Sequence, residues 1–290
     1  MSIKAIQHIN NKFPKNIFQV WFQGCENIQR QEFVANKNNW KAMNPTWNYH
    51  CVSDKEMIEA CKLFSDRCYQ IYQSLPIMHM KIDLARYVLI YIYGGMYIDM
   101  DAYILRNLEY NETINEIIKK YETENINVLG LSKIKLHSLE KTVSRINYNN
   151  AFMISSAGNP LLKRFINHVL DQCEKYKFNH SNTNHNMVSH NVVQFTTGPF
   201  SFNQFFRDSK SNPESIIYTF DPEIFEPCDL NHNCQVTKNT IAIHQFEMSW
   251  LSPFMRYLGK LYFYIRNQWL MLVVLLMVIY YYKYTKRYAK

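Results

Sequence analysis

Residues 78 to 101, "MHMKIDLARYVLIYIYGGMYIDMD", constrain the fold more than any other stretch of the chain. From Met78 to Tyr93 the apolar positions Ile82, Ala85, Val88, Leu89 and Ile92 recur at intervals of three and four, the period of a helix with one buried face. Gly94-Gly95 closes that helix, and the apolar run Met96 to Met100 then reads as a buried strand. The same alternation begins at the N-terminus. "NIFQVWFQG" (16–24) is a β-prone run stopped by Gly24, and "NPTWNYHCVSD" (44–54) is a turn leading into a second strand. Asp54 is placed to cap a helix running from Lys55 to about Cys68. Alternating strands and helices over the first hundred residues predict an α/β domain with a largely parallel sheet.

Beyond residue 110, "NINVLGLS" and "NAFMISS" read as further strands. "PLLKRFINHVLDQCEKY" reads as an amphipathic helix with Pro160 in its first turn, and "NHSNTNHNMVSHN" (179–191) as a polar, irregular loop. With 47% apolar residues across 290 positions, a sizeable core is available and wholesale disorder is excluded. The formal charge of +8 does not mark a nucleic-acid groove, because no acidic residue follows Glu247 and seven basic residues, Arg256 to Lys290, lie in that last stretch. They surround "WLMLVVLLMVIYYY" (269–282), whose fourteen residues span about 21 Å as a helix, short of the roughly 30 Å hydrocarbon core. Snorkelling ends and the flanking Trp269 and Tyr280–Tyr284 fit a membrane span over 267–284, and the length also suits a buried or interfacial helix. The expected organisation is therefore a folded α/β domain over 1–250, a basic and aromatic juxtamembrane segment over 251–266, a single C-terminal span over 267–284 and a basic tail over 285–290. The N-terminus has no signal-peptide h-region, and the charge rules leave the orientation open. The seven cysteines include no C-x-x-C, so neither a zinc knuckle nor a redox pair is indicated, and the sequons at Asn111 and Asn179 decide nothing.

The chemistry lies at the end of the apolar strand. Residues two apart in a strand share a face, which sets Asp99 and Asp101 side by side with Cα atoms roughly 6.6 Å apart. Like charges at a buried strand end are costly unless a cation lies between them, and oxygen ligands suit Mg²⁺ or Mn²⁺. Spacing alone also fits two carboxylates in a solvated turn. On the preceding helix Asp83 and Arg86 are three apart and share a face. They suit a polyhydroxylated group and a diphosphate beside a metal, or equally an ordinary surface ion pair.

Taken together, "KIDLARYVLIYIYGGMYIDMDAYILRNLE" (81–109) resembles the hallmark of the DXD sugar-binding glycosyltransferases of family 32, which include yeast-type α-mannosyltransferases and inositol-phosphoceramide mannosyltransferases. Five further blocks resemble that family in order: "FPKNIFQVWFQG", "NPTWNYHCVSD", "NNAFMISSAGNPLL", "TTGPFSFNQF" and "AIHQFEMSW". The resemblance implies a GT-A type, Rossmann-like nucleotide-sugar-binding domain. It also implies a UDP- or GDP-linked sugar donor, a divalent metal (Mn²⁺ or Mg²⁺) and retention of anomeric configuration as a hexose moves to a glycan or lipid-linked acceptor. By the same resemblance Asp101 ligates the metal, Asp99 lies close to the metal and the donor, and His244 is a candidate ligand of metal or diphosphate. Asp83 holds sugar hydroxyls, Arg86 the sugar or phosphate, and Trp21 stacks on the base unless it is simply a core tryptophan. Trp250 covers the diphosphate with help from Ser249, while Asn150 and Thr197-Gly198-Pro199 line the sugar and acceptor pocket.

Phe18, where the family often has histidine, and Val52, where it often has tryptophan, depart from the pattern and bear on donor details. A DxD phosphatase is disfavoured, since Tyr103 stands where it needs Thr or Val and the chain has no Asp-Asp. A membrane-tethered sugar-nucleotide-binding protein without turnover keeps the same residues and remains open.

Overall fold

The computed structural model describes residues 12–133, 148–176, 190–209, 215–228, 234–245 and 277. The first half runs β1 (Asn16–Val20), α1 (Gln31–Met43), β2 (Asn48–Val52), α2 (Asp54–Phe64), α3 (Asp66–Ser74), α4 (Met78–Tyr93), β3 (Gly95–Ile98), β4 (Ala102–Ile104) and α5 (Glu112–Glu124). The second half runs β5 (Val128–Lys133), β6 (Tyr148–Ser155), α6 (Pro160–Lys175), α7 (His190–Thr196), α8 (Pro199–Asp208), β7 (Ile216–Phe220), α9 (Pro222–Phe225) and β8 (Ala242–His244). These elements belong to one compact unit, Met1–Gln245.

The main sheet has the order β2-β1-β3-β6-β5-β7, and β4 pairs with β8 in a second, small sheet. The expectation of a largely parallel sheet needs correction. β1 pairs in parallel with β2 and β3, and β5 with β7, but β6 runs antiparallel to both β3 and β5. A strand buried on both faces is a continuous apolar run whichever way it points, so β6 carries no mark of its direction.

Alternation along the strands divides the core. Phe18, Tyr97 and Met153 join the helices α2, α3, α4, α6 and α8 on one side of the sheet. Ile17, Met96 and Ile154 join Trp40 of α1, Ile114 and Ile117 of α5 and Phe225 of α9 on the other. Fully burying an aliphatic or phenyl side chain contributes about 1.5–3 kcal/mol, so Leu161, Leu162, Phe165, Ile166, Val169 and Leu170 explain why α6 seats where it does.

The helix expected from Lys55 to Cys68 is two helices, interrupted at Ser65, whose side chain accepts from Cys68 N at 3.1 Å and so caps α3. Asp54 is not the cap of α2 either. Ser53 is, with its N–H donating to Glu56 Oε2 at 2.7 Å, while Asp54 accepts from Tyr72 OH at 2.6 Å. α4 ends as expected at Gly94 (φ 63°), and Gly95 (φ 108°) brings the chain against β1 so closely that a Cβ there would lie 2.4 Å from Asn16 O. Two disulfides that cysteine spacing did not announce join Cys25 to Cys51 and Cys228 to Cys234, leaving Cys61, Cys68 and Cys173 free and buried. The side chain of sequon Asn111 is buried and accepts from Ile114 N at 3.0 Å at the start of α5.

The irregular segment 179–191 lies outside the described residues as far as residue 189, and α7 begins at His190. Ser249, Trp250, the juxtamembrane segment 251–266, the expected span 267–284 apart from Met277 and the tail 285–290 also lie outside them. Among the described residues no helix is long and apolar enough to cross a membrane.

Candidate active site

α4 packs against β3 and β6 and turns Asp83, Arg86 and Tyr87, three and four residues apart, into the core. Arg86 Nη2 lies 3.1 Å from Asp83 Oδ1, its Nη1 lies 3.0 Å from Asp99 Oδ1, and Nη1 also donates to Asn150 O at 3.1 Å. The guanidinium sits 4.7 Å from the centre of the Tyr97 ring, and Tyr97 OH donates to Asp99 Oδ1 at 2.7 Å. Asp83 receives Asn150 Nδ2 at 3.3 Å and Thr197 Oγ1 at 3.2 Å. Tyr87 OH receives Asn150 Nδ2 at 2.9 Å and donates to Thr197 O at 2.8 Å. The pair on α4 is therefore a buried junction rather than a surface ion pair. Among the described residues Arg86 Nε is buried and meets no acceptor.

Burial pushes the Asp83 carboxyl up to about 7 against the pull of Arg86. Burial opposes the charge on Arg86, but Asp99 first, then Tyr97 and Asp83, outweigh it and hold the guanidinium charged. Tyr87 and Tyr97 are raised well above the usual phenol range by burial, so both serve as neutral hydroxyls.

Asp99 and Asp101 stand in a turn, not in the strand expected from Met96 to Met100. β3 stops at Ile98, and Ala102 N donates to Asp99 O at 3.1 Å, closing the turn before β4. Asp99 is further held by its own N–H to Ala151 O (3.0 Å) and by Gln19 Nε2 to its carbonyl (3.1 Å). The small sheet completes the arrangement, since Ala102 of β4 pairs with His244 of β8 and Gln245 N donates to Asp101 O at 3.1 Å. One ligating atom each from Asp99, Asp101 and His244 lie within 4.8 Å of one another. Asp99 and Asp101 keep side-chain exposures of 24% and 15%, enough to meet a ligand from solvent.

His244 Nε2 lies 3.3 Å from Asp101 Oδ1, and its Nδ1 lies 3.0 and 3.1 Å from the two oxygens of the fully buried Glu226. Burial lowers the basicity of His244, but Glu226 and Asp101 outweigh it and raise it well above the ordinary histidine value. Burial raises Glu226 in turn. This donor set fits a divalent cation, which would take over from the Nε2 proton the role of balancing the carboxylates. Two carboxylates with one imidazole suit Mn²⁺ and admit Mg²⁺.

Trp21 follows β1 directly and packs edge-on against Phe33 (5.7 Å, 66°), in a small cluster that includes Met100, the residue between the two aspartates. Its Nε1 is buried and has no partner among the described residues. Phe18, one of the two departures, is a core residue stacked on His50, and Val52 is wholly buried. Asp83, Arg86, Asp99, Asp101, Asn150, Thr197 and His244 thus form one contiguous site, with Trp21 beside it. Sequence reasoning missed Tyr87, Tyr97 and Glu226. Strand alternation puts Tyr97 on the face of Asp99 and could have found it, whereas nothing local ties Glu226 to His244. A separate cavity of about 700 Å³, lined by Leu105, Arg106, Tyr110, Ile224 and Lys238 among others, shares no residue with the site.

Residues 30–124, which carry α4 and the aspartate turn, match the family model described as a glycosyltransferase sugar-binding region containing a DXD motif. Over these residues the chain is similar to that DXD glycosyltransferase family. It is 25% identical over 169 residues to an initiation-specific α-1,6-mannosyltransferase of Candida albicans, covering 55% of this chain and 43% of that relative. The chain thus matches less than half the length of that yeast enzyme. It is also 25% identical over 272 residues to an uncharacterised glycosyltransferase of Acanthamoeba polyphaga mimivirus, covering 90% of this chain and 91% of the other. Among solved structures it is similar to the PaToxG glycosyltransferase (TM-score 0.44, 15% identity, 68% of this chain and 70% of that one). It is also similar to the UDP-bound glycosyltransferase domain of the YGT toxin (TM-score 0.42, 11% identity, 73% and 80%).

Proposed function

We propose that this chain is a metal-dependent, retaining glycosyltransferase with a GT-A type domain that moves a hexose from a UDP- or GDP-linked donor to a hydroxyl of a glycan or lipid-linked acceptor. The observation that carries this reading is the continuity of the site. Arg86 joins Asp83, a carboxylate held by hydroxyl and amide donors as one that binds sugar hydroxyls would be, to Asp99, whose neighbours Asp101 and His244 complete a cation-binding group. A phosphatase or a plain ion-pair cluster has no use for both halves.

In this reading Asp101 and His244 hold the cation with Asp99 at its edge. Bound there, it would neutralise the charge that builds on the departing diphosphate. Asp83 accepts hydrogen bonds from donor-sugar hydroxyls, and the unpartnered Nε–H of Arg86 donates to the sugar or phosphate. Asn150 and Thr197 fix Asp83, and Tyr97 fixes Asp99, so the carboxylates are oriented before the donor arrives. Trp21 supplies a flat apolar surface for the base. The bond between the anomeric carbon and the phosphate oxygen breaks with its electrons going to the diphosphate. The acceptor oxygen bonds to that carbon on the same face, and its proton passes to the leaving phosphate. No carboxylate in the described site stands alone as a covalent nucleophile, which favours this front-face course.

The C-terminal stretch 269–282, with aromatic flanks and basic residues beyond, supports a chain held at a membrane by one span. Carbonate extraction tests it: the full chain is expected in the pellet, and release into the supernatant contradicts the span. The reaction is tested by offering the full chain a panel of UDP- and GDP-sugars with Mn²⁺ and measuring released nucleoside diphosphate. Slow hydrolysis of one donor is expected. Binding of a donor without release of diphosphate, with any acceptor supplied, would instead make the chain a sugar-nucleotide-binding protein.

A further inference from the structure

Glu226 has no part in the site as the sequence describes it, yet it is a wholly buried carboxylate, an arrangement that is costly unless its oxygens are engaged. Both are. Oε1 and Oε2 lie 3.0 and 3.1 Å from His244 Nδ1, and Oε1 also receives Asn149 Nδ2. Asn149 is itself fixed, because its Oδ1 accepts Ala151 N at 3.1 Å. The Phe152 ring stands edge-on to the imidazole (6.0 Å, 86°), and Nε2 on its far side lies 3.3 Å from Asp101 Oδ1. Asn149 of β6, Glu226 at the end of α9, His244 of β8 and Asp101 of the turn therefore form one line of polar contacts.

We propose that Glu226 is the positioning residue for His244. By accepting the Nδ1 proton it fixes the tautomer and rotation in which Nε2 offers its lone pair to a divalent cation shared with Asp99 and Asp101, an inference that rests on the metal-dependent reading above. Metal-bound histidines commonly donate their other ring N–H to a carboxylate, and loss of that partner typically weakens metal binding by about 10–100-fold. The adjacent asparagines of β6 then divide the work, Asn150 orienting Asp83 and Asn149 orienting Glu226.

The test is Mn²⁺ binding to the full chain in detergent without nucleotide, followed by the electron paramagnetic resonance of free Mn²⁺. The variants are Glu226→Gln, His244→Gln, their double variant and Asp101→Asn, each checked for an unchanged circular dichroism spectrum. Glu226→Gln is expected to raise the Mn²⁺ Kd about 10–100-fold, His244→Gln at least as much, and the double variant no more than His244→Gln alone. A residue that acts only through the imidazole has nothing left to lose once the imidazole is gone. Should Glu226→Gln fail to fold, Glu226→Asp takes its place in the cycle with a smaller rise expected. An unchanged Kd in the Glu226 variants, or single losses that multiply in the double variant, overturns the positioning role. Loss of Mn²⁺ in Asp101→Asn together with either of those results leaves the metal reading standing. Wild-type affinity in Asp101→Asn, or a wild-type chain that binds no Mn²⁺, overturns the metal reading itself.

Discussion

Arg86 meets Asp83, Asp99 and the Asn150 carbonyl with one planar guanidinium while lying over the Tyr97 ring, and no other cationic side chain can do this. A lysine would offer a point charge that reaches fewer of these partners. Hydrogen bonds to charged groups contribute about 1.5–3 kcal/mol each, so Arg86→Lys is expected to lower kcat/KM for the donor by about 10–100-fold, read from steady-state kinetics. A change under threefold would mean the fork is not used. At this scale the sequence was informative wherever partners are close along the chain: the three-residue spacing of Asp83 and Arg86, and the two aspartates around Met100. It was silent on Glu226, which meets His244 across 18 positions only because α9 and β8 lie side by side.

The helix–Gly-Gly–strand unit shows what periodicity can and cannot deliver. It fixed α4 to the residue, because an apolar stripe and a glycine stop are both local signals. It found the strand that follows but ran it two residues too far, to Met100 instead of Ile98, since an apolar strand and a turn that ends one share the same composition. α2 and α3 make the same point, for Ser65 is a capping residue inside an unbroken apolar period, and the cap prevailed. Gly95 is the hinge of the unit. A side chain there would hold a left-handed φ of 108° and press on Asn16 O, costing about 1–3 kcal/mol for the backbone alone. Gly95→Ala should therefore lower the urea midpoint by at least that equivalent, with β1 and the aspartate turn disturbed together. A midpoint equal to wild type would show that β1 gives way freely.

For the molecule as a whole, the sheet with helices on both sides was legible from alternating elements, and its mixed direction was not, because β6 is buried on both faces. The disulfides were equally hidden, as Cys25 and Cys51 are 26 residues apart and meet only where the loop after β1 returns to β2. A loop of that size contributes about 3–4 kcal/mol in the chain-entropy account, so a reductant should lower the melting temperature. Alkylation of the unfolded chain should label three cysteines without reductant and seven with it; seven without reductant would contradict both bridges. The proposed function rests on one claim, that the turn after β3 and the end of β8 hold a divalent cation against a sugar diphosphate. The most direct measurement strips the purified chain with a chelator and refills it. Donor hydrolysis is predicted to vanish, to return on adding Mn²⁺, and not to return in Asp101→Asn. Undiminished turnover by the stripped chain, or full recovery in Asp101→Asn, would contradict the account.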